Sequence, residues 1–367
     1  MLTDDEVVEY LRERTLIPPE TEETPDVVDV SRRNRNVEVR SGPGSGFFVK
    51  QGVGPERTAT VANEAATYLR IGGEIDPNGL SRYLPEYFGY DPSSHLLVLG
   101  LVPGAQSLRD YHATRGGFSV MLARALGDAL GVVHGIPHPV EESPGRTHAG
   151  GIPFVLSLHR PDLGMFQQLS AATIELVKIL QQIPDLCDHL DALRHDWDTT
   201  SLIHNDIRWD NCLVSAAPNT NRITRLKLID WELSGAGDPA WDVGCAFSEY
   251  LAFWLASIPI TGDAPPDRFL DLAGSPIEQM QPAIGALWQS YVTRTGTDPE
   301  RSTEFLMRAV RYAAARLVQR AFERTQHSAW VASDVICLLQ LSLNVFEDPA
   351  DAATTLLGIP MDDRGMT

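Results

Sequence analysis

The chain has 367 residues, 43% of them hydrophobic and 22% charged. That composition excludes disordered, collagen-like and disulfide-scaffold classes and leaves room for one large domain or two coupled lobes. Lys and Arg total 30 against 49 Asp and Glu, a formal net charge of −19, so a protein that works by neutralising nucleic-acid phosphates is not expected.

Ten acids against Arg12 and Arg14 crowd into residues 1–30, which leaves the body of the chain only mildly acidic. Thr3-x-x-Glu6 before Val7, Val8 and Leu11 predicts a capped short helix, ended by the Pro18 to Pro25 run. Residues 1–26 thus read as an acidic leader helix and connector. Strand character follows at Val27 to Val30, Asn36 to Arg40 and Phe47 to Lys50, then a helix near Asn63 to Leu69 and strands at Leu84 to Phe88 and His95 to Leu101. Five strands with one helix make a first lobe over residues 27–102. Beyond it the periods become helical, notably over Met121 to His134, and predict a larger, mostly helical lobe over 103–367. Within that lobe Ile136 to Gly164 reads as a long Pro-, Gly- and His-rich loop. Helices are expected at Met165 to Ile183, Leu186 to Trp197 and from Asp242 onward. The fold class is therefore α+β, in two lobes.

The four cysteines form no C-x-x-C pair, so neither a zinc site nor a disulfide framework is indicated and a reducing compartment fits. The chain begins with no basic n-region, and its most apolar stretch, Tyr250 to Ile260, is far short of the roughly 20 residues that span a bilayer. A cytoplasmic location without a membrane partner is the expectation.

Chemistry concentrates in His204-Asn205-Asp206-Ile207-Arg208-Trp209-Asp210-Asn211 and, nineteen residues after Asn211, in Asp230-Trp231-Glu232. Phosphoryl transfer needs a carboxylate to orient and accept the proton of an attacking hydroxyl, and oxygen ligands for Mg2+ that neutralise nucleotide phosphates. An Asp and an Asn five residues apart, with a second Asp after a strand, meet that need. Taken singly, either half could be a loop with helix-capping Asp and Asn. Together they resemble the catalytic and metal loops of the protein-kinase-like superfamily, in its aminoglycoside phosphotransferase and choline kinase branch.

The resemblance spans about residues 27–345 and implies a bilobal kinase-like fold, with ATP and Mg2+ as cofactors. It implies that Asp206 is the catalytic base, that Asn211 and Asp230 are metal ligands, and that His204 packs under the loop rather than acting as a base. A kinase-like site also needs a cation on a strand to hold phosphates and an acid on the next helix to fix it. Lys50 and Glu64 supply both, in order. Gly42-Pro43-Gly44-Ser45-Gly46 precedes the Lys50 strand directly and reads as a hairpin turn. The phosphate-covering turn then falls at Ser31 to Asn36, without glycine, where Ser31, Asn34 or an arginine such as Arg33 contacts phosphate or else simply faces water. Leu101 and Val102 are the expected hinge that meets the adenine edge.

Downstream, Gly235-Ala236-Gly237-Asp238-Pro239-Ala240-Trp241-Asp242 resembles the G-x-G-D-P-x-x-D run of small-molecule kinases. Asp242 is expected to start a helix and tie down the catalytic loop through backbone N–H groups. Trp231-Glu232 stands where protein kinases have Phe-Gly, and no A-P-E-like closure follows, so the chain lies outside the regulated protein kinases. Arg208, two residues after the base, imitates the serine/threonine-kinase lysine and is assigned a catalytic part in stabilising the transferring phosphoryl group, the alternative being a side chain turned out to water.

The acceptor is less legible. Arg316, Arg320 and Arg324 share one helix face at four-residue spacing, either a basic docking stripe or a solvated face. The run Leu338 to Asn344 and the loop Asp206 to Cys212 resemble stand-alone kinases of lanthipeptide-type ribosomal-peptide pathways, which phosphorylate Ser or Thr before a separate lyase eliminates the phosphate. These features favour a peptide hydroxyl as acceptor and a lyase as partner. An aminoglycoside- or choline-type alcohol is the alternative acceptor, and a silent pseudokinase scaffold is the alternative from another class.

Overall fold

Thr3 opens the first helix as its spacing predicts. In the computed structural model, which describes residues 1–18, 25–31, 33–42, 45–71, 79–136, 151–216, 223–259, 272–326 and 328–361, helix α1 (Asp4–Glu13) begins with a complete capping box. The Thr3 hydroxyl accepts from the Glu6 N–H, and the Glu6 carboxylate accepts from the Thr3 N–H at 2.7 Å. Its apolar face, Val7, Val8 and Leu11, packs with Ile17 against Val37, Val39, Phe47, Val49, Leu96 and Val98. The leader helix therefore belongs to the core of the first unit. Arg35 reinforces the join with ion pairs to Asp4 and Asp29.

Those apolar residues alternate along β2 (Arg35–Gly42), β3 (Ser45–Gln51) and β5 (Leu96–Gly100), which with β1 (Asp26–Asp29) and β4 (Tyr87–Asp91) form an antiparallel sheet in the order β1-β2-β3-β5-β4. Period-two alternation sends Lys50 to the opposite face from Val49. There it meets α2 (Pro55–Ile71). The expected hairpin joins β2 to β3, with its Pro43-Gly44 tip outside the described residues. At Gly46 the need for glycine is steric, because a Cβ would lie 2.5 Å from the Val39 carbonyl oxygen.

The chain forms two compact units, Met1–Tyr111 with Trp209–Ser234, and His112–Arg208 with Gly235–Thr367. Packing thus draws a different line from the change of period at residue 102, since a later segment returns to the first unit. That segment is a hairpin of β8 (Cys212–Ala216) and β9 (Ile223–Leu228), flanked by β6 (Gln106–Ser107) in the order β6-β8-β9. Helix α3 (Leu108–Arg115) carries the chain into the second unit.

The second unit is mostly helical: α4 (Val120–His134), α5 (Leu163–Phe166), α6 (Ala171–Gln181), α7 (Pro184–His195), α8 (Pro239–Ala256), α9 (Ile277–Thr295), α10 (Pro299–Thr325) and α11 (Ser333–Glu347). A short ladder pairs β7 (Ser201–Ile203) with β10 (Gly235–Gly237). The helix expected over Met165 to Ile183 is two, because Ser170 caps a new helix by accepting from the Thr173 N–H. The start expected at Asp242 lies at Pro239, with Asp238 as N-cap and proline at the first helical position. Of the long loop, residues 137–150 lie outside the described residues, while Phe154–Ser157 forms a 3-10 turn. Gly244 lets α8 approach α10, since a Cβ there would lie 2.5 Å from the Ala309 carbonyl oxygen. Among the described residues no helix is long and apolar enough to cross a membrane.

Candidate functional site

In the first unit the β8–β9 register does the assembly. Cys212 pairs with Leu228, and the Ile229 N–H donates to the Asn211 carbonyl at 3.0 Å, so Asn211 and Asp230 emerge side by side at the hairpin's open end. Arg109 holds the preceding turn through Asp210 at 2.9 Å. Asp230 has left-handed backbone, φ 65° and ψ 56°, a conformation costly outside glycine and tolerated best by Asp and Asn. Such strain persists only where the surroundings enforce it. Here Asn63 of α2 donates to the Glu232 and Ser234 carbonyls at 3.1 and 2.9 Å, and the Trp231 N–H donates to Glu64 at 3.3 Å.

The result is one ammonium among three carboxylates. Lys50 Nζ lies 2.8 Å from Glu64 Oε2, 2.6 Å from Asp230 Oδ1 and 2.9 Å from Glu232 Oε2, with only 5% of its side chain exposed. Burial by itself would favour neutral lysine, but Glu64, Asp230 and Glu232 outweigh it and hold the ammonium well above its usual range. Burial likewise holds the Glu64 carboxyl above its usual range, Lys50 pulling it down and Asp230 pushing it up. Oxygens of Glu64, Asp230 and Glu232 lie within 4.8 Å of one another. Asp230, beside Asn211 at the hairpin end, offers a hard oxygen donor of the kind that fits Mg2+.

Glu232 is the member that the sequence pattern does not single out. Its signal lies in Trp231-Glu232, which reads only as a departure from Phe-Gly. The glycine-free turn supplies its partner: Asn34, 5% exposed, donates from Nδ2 to Glu232 Oε2 at 3.0 Å. Ser31 and Arg33 lie elsewhere. Ser31 closes the turn by accepting the Asn36 N–H at 3.0 Å, and Arg33 is exposed, 3.8 Å from Glu56. At the expected hinge the Leu101 N–H donates to Gly46 and the Val102 carbonyl accepts from Ala105.

In the second unit Asp206 follows two residues that are pinned from below. Asp242, fully buried, accepts the N–H groups of His204 at 2.7 Å and Asn205 at 2.9 Å. Trp241 Nε1 donates to the Asn205 carbonyl at 3.3 Å, which keeps Asn205 at φ 68°. His204 is buried, and its Nδ1 accepts the Asp206 N–H at 3.4 Å. Behind Asp242, His134 Nε2 lies at 3.2 Å and His134 Nδ1 lies 3.0 Å from the Tyr291 hydroxyl. That chain ties the loop to α4 and α9. His134→Ala strips Asp242 of a side-chain partner and strands the Tyr291 hydroxyl, so unfolding stability should fall by about 1–3 kcal/mol. An unchanged urea midpoint would contradict the arrangement.

The expected basic stripe is corrected here. Arg316 and Arg320 are 1% and 8% exposed, because that face of α10 packs inward and meets acids. Arg316 Nη1 donates to Glu323 Oε1 at 2.8 Å, Arg320 pairs with Glu249 of α8, and Arg324 with Asp334. Arg316 and Arg320 thus form neither a docking stripe nor a solvated face, while Arg324, with 46% of its side chain exposed, stays at the surface. Instead Arg316 Nη2 lies 3.7 Å from Asp206 Oδ1, and Arg208 Nη2 lies 3.5 Å from Glu323 Oε2.

A family model described as "Phosphotransferase enzyme family" matches residues 27–272. No curated protein matches the chain. Among solved structures, an ethanolamine kinase from Plasmodium vivax is similar at 12% identity and a TM-score of 0.53, over 92% of this chain and 88% of its own. A choline kinase from Cryptosporidium parvum is similar at 11% identity and a TM-score of 0.52, over 97% and 98%. At these identities the likeness is one of fold.

Proposed function

Because the chain belongs to the phosphotransferase enzyme family, we propose that it transfers the γ-phosphoryl group of ATP to an acceptor hydroxyl in the presence of Mg2+. The observation that carries this reading is the ammonium of Lys50 among Glu64, Asp230 and Glu232 at the hairpin end that also bears Asn211. In this reading Lys50 grips the α- and β-phosphates, and Glu64 keeps its side chain in place. Asn211 and Asp230 would hold Mg2+, which when bound neutralises charge on the phosphate oxygens. Asp206 orients the acceptor hydroxyl and takes its proton, and Arg208 faces the charge of the transferring group. With Lys50, Asp206, Asn211 and Asp230 all chemically competent, an enzyme is favoured over a silent scaffold.

For the acceptor we favour a Ser or Thr hydroxyl of a natural-product precursor peptide, whose phosphate a separate lyase would then eliminate. With Arg316 and Arg320 buried, the support for this reading narrows to Arg208, whose position in the sequence two residues after Asp206 imitates the serine/threonine-kinase lysine, and to the resemblance carried by Leu338 to Asn344 and Asp206 to Cys212. A choline- or aminoglycoside-type alcohol is the second reading, favoured by membership of the family itself. The test incubates the protein with Mg2+ and ATP and, separately, a Ser/Thr-containing peptide encoded beside its gene, choline and kanamycin. The peptide is expected to gain the mass of one phosphate while the alcohols stay unmodified. Phosphorylation of an alcohol with the peptide untouched would replace the first reading by the second.

A further inference from the structure

The charges around Asp206 alternate in sign along a single path. Arg316 and Glu323, seven residues apart, lie on one face of α10 two turns from each other. Glu323 uses its two oxygens on two different arginines, Oε1 on Arg316 and Oε2 on Arg208. Engaging Nη1 leaves the other arm of the Arg316 guanidinium toward Asp206, and Nη2 is buried without a hydrogen-bond partner. A rigid planar fork transmits this orientation as a flexible ammonium would not.

Stability alone does not account for the set. A buried ion pair is often matched or surpassed by apolar residues of similar volume, and Ala313, Ala314, Ala315, Leu317 and Val318 on either side of Arg316 are all buried apolar residues. Opposite signs keep Glu323 ionised: burial would raise its carboxyl, but Arg316 and Arg208 overcome burial and hold it below the ordinary range.

We propose that Arg316 and Glu323 are positioning residues of the phosphoryl-transfer site: Arg316 aims the Asp206 carboxylate, and Glu323 sets both Arg316 and Arg208. This rests on Asp206 being the base, and the experiment separates the two claims. ADP release is measured with Mg2+, ATP and water as acceptor, then with whichever acceptor the panel of peptide, choline and kanamycin identifies. Arg316→Gln should lower kcat by about tenfold to a hundredfold, the scale of a small misplacement of a reacting group, while the KM for ATP changes less than about twofold. Arg316→Lys should recover part of that loss. The double variant Arg316→Met with Glu323→Gln removes the buried cation together with its carboxylate, and the Arg208 and Asp206 side chains that lose a partner are 32% and 21% exposed and reach water, so it should keep its unfolding transition and show the same fall in kcat. Full turnover by that double variant, or a loss confined to the KM for ATP, would overturn the proposal. Asp206→Asn runs alongside: if it too keeps full turnover, the base assignment has failed, whereas a slow Asp206→Asn beside fully active Arg316 variants refutes the positioning role alone.

Discussion

Asp206→Asn should slow phosphoryl transfer by about 10²- to 10⁴-fold, the range expected for losing a positioned general base. The substitution is nearly isosteric, and the backbone leading into residue 206 is held by Asp242 and His204. The loop should therefore keep its shape. Lys50, Glu64 and Asp230 lie in the other compact unit, so the rise in melting temperature caused by Mg2+ and ADP should survive, because a ligand that binds only the folded state stabilises by RT ln(1 + [L]/Kd). Loss of turnover with binding retained marks an interaction made in the chemical step. Loss of both would instead indicate damage to the fold.

Lys50→Met should have the largest effect on stability. It removes the one ammonium that Glu64, Asp230 and Glu232 share and leaves three carboxylates in a poorly solvated cluster. Breaking a buried pair by removing one partner costs about 3–5 kcal/mol. The penalty should depend on pH in a definite direction. Without Lys50 the Glu64 carboxyl, already raised by burial, rises further above its unfolded value. A carboxyl whose folded pKa is raised favours the folded state below the unfolded pKa and loses that advantage as pH climbs through the folded one. The variant's deficit in denaturant unfolding should thus be small near pH 5 and grow toward pH 8, and adding Glu64→Gln should relieve part of it. A deficit independent of pH, or one that grows on acidification, would show that the carboxylates are not crowded as described.

Much of this arrangement is legible in the amino-acid sequence. Lys50, Glu64 and Asp230 stand out together because a strand-borne cation, a helical acid and a post-strand Asp answer one electrostatic need, and the fold brings their charged atoms within hydrogen-bonding distance. Most of the first-unit sheet is legible too, since period-two alternation records which side faces the core, although the strand expected at Leu84 to Phe88 lies at Tyr87–Asp91. Three features are not. The leader reads as a capped acidic helix, but neither its cap nor its acids say that Val7, Val8 and Leu11 join the core of the first unit. Four-residue spacing on α10 predicts that Arg316, Arg320 and Arg324 share a face but not which way it turns; Glu249 on another helix decides that for Arg320, and Glu323 buries Arg316. Glu232 escapes because its role follows from contacts with Lys50 and Asn34, far off in the chain.

The most direct measurement follows the γ-phosphoryl group itself. The protein is incubated with γ-labelled ATP, Mg2+ and each acceptor of the panel, and the label is then traced in wild type and in Asp206→Asn. Label in an acid-stable phosphoester on an acceptor hydroxyl with the wild type, and almost none with the variant although nucleotide still raises its melting temperature, is the predicted result. Label found only as inorganic phosphate, or on the acceptor to the same extent with both proteins, would contradict it.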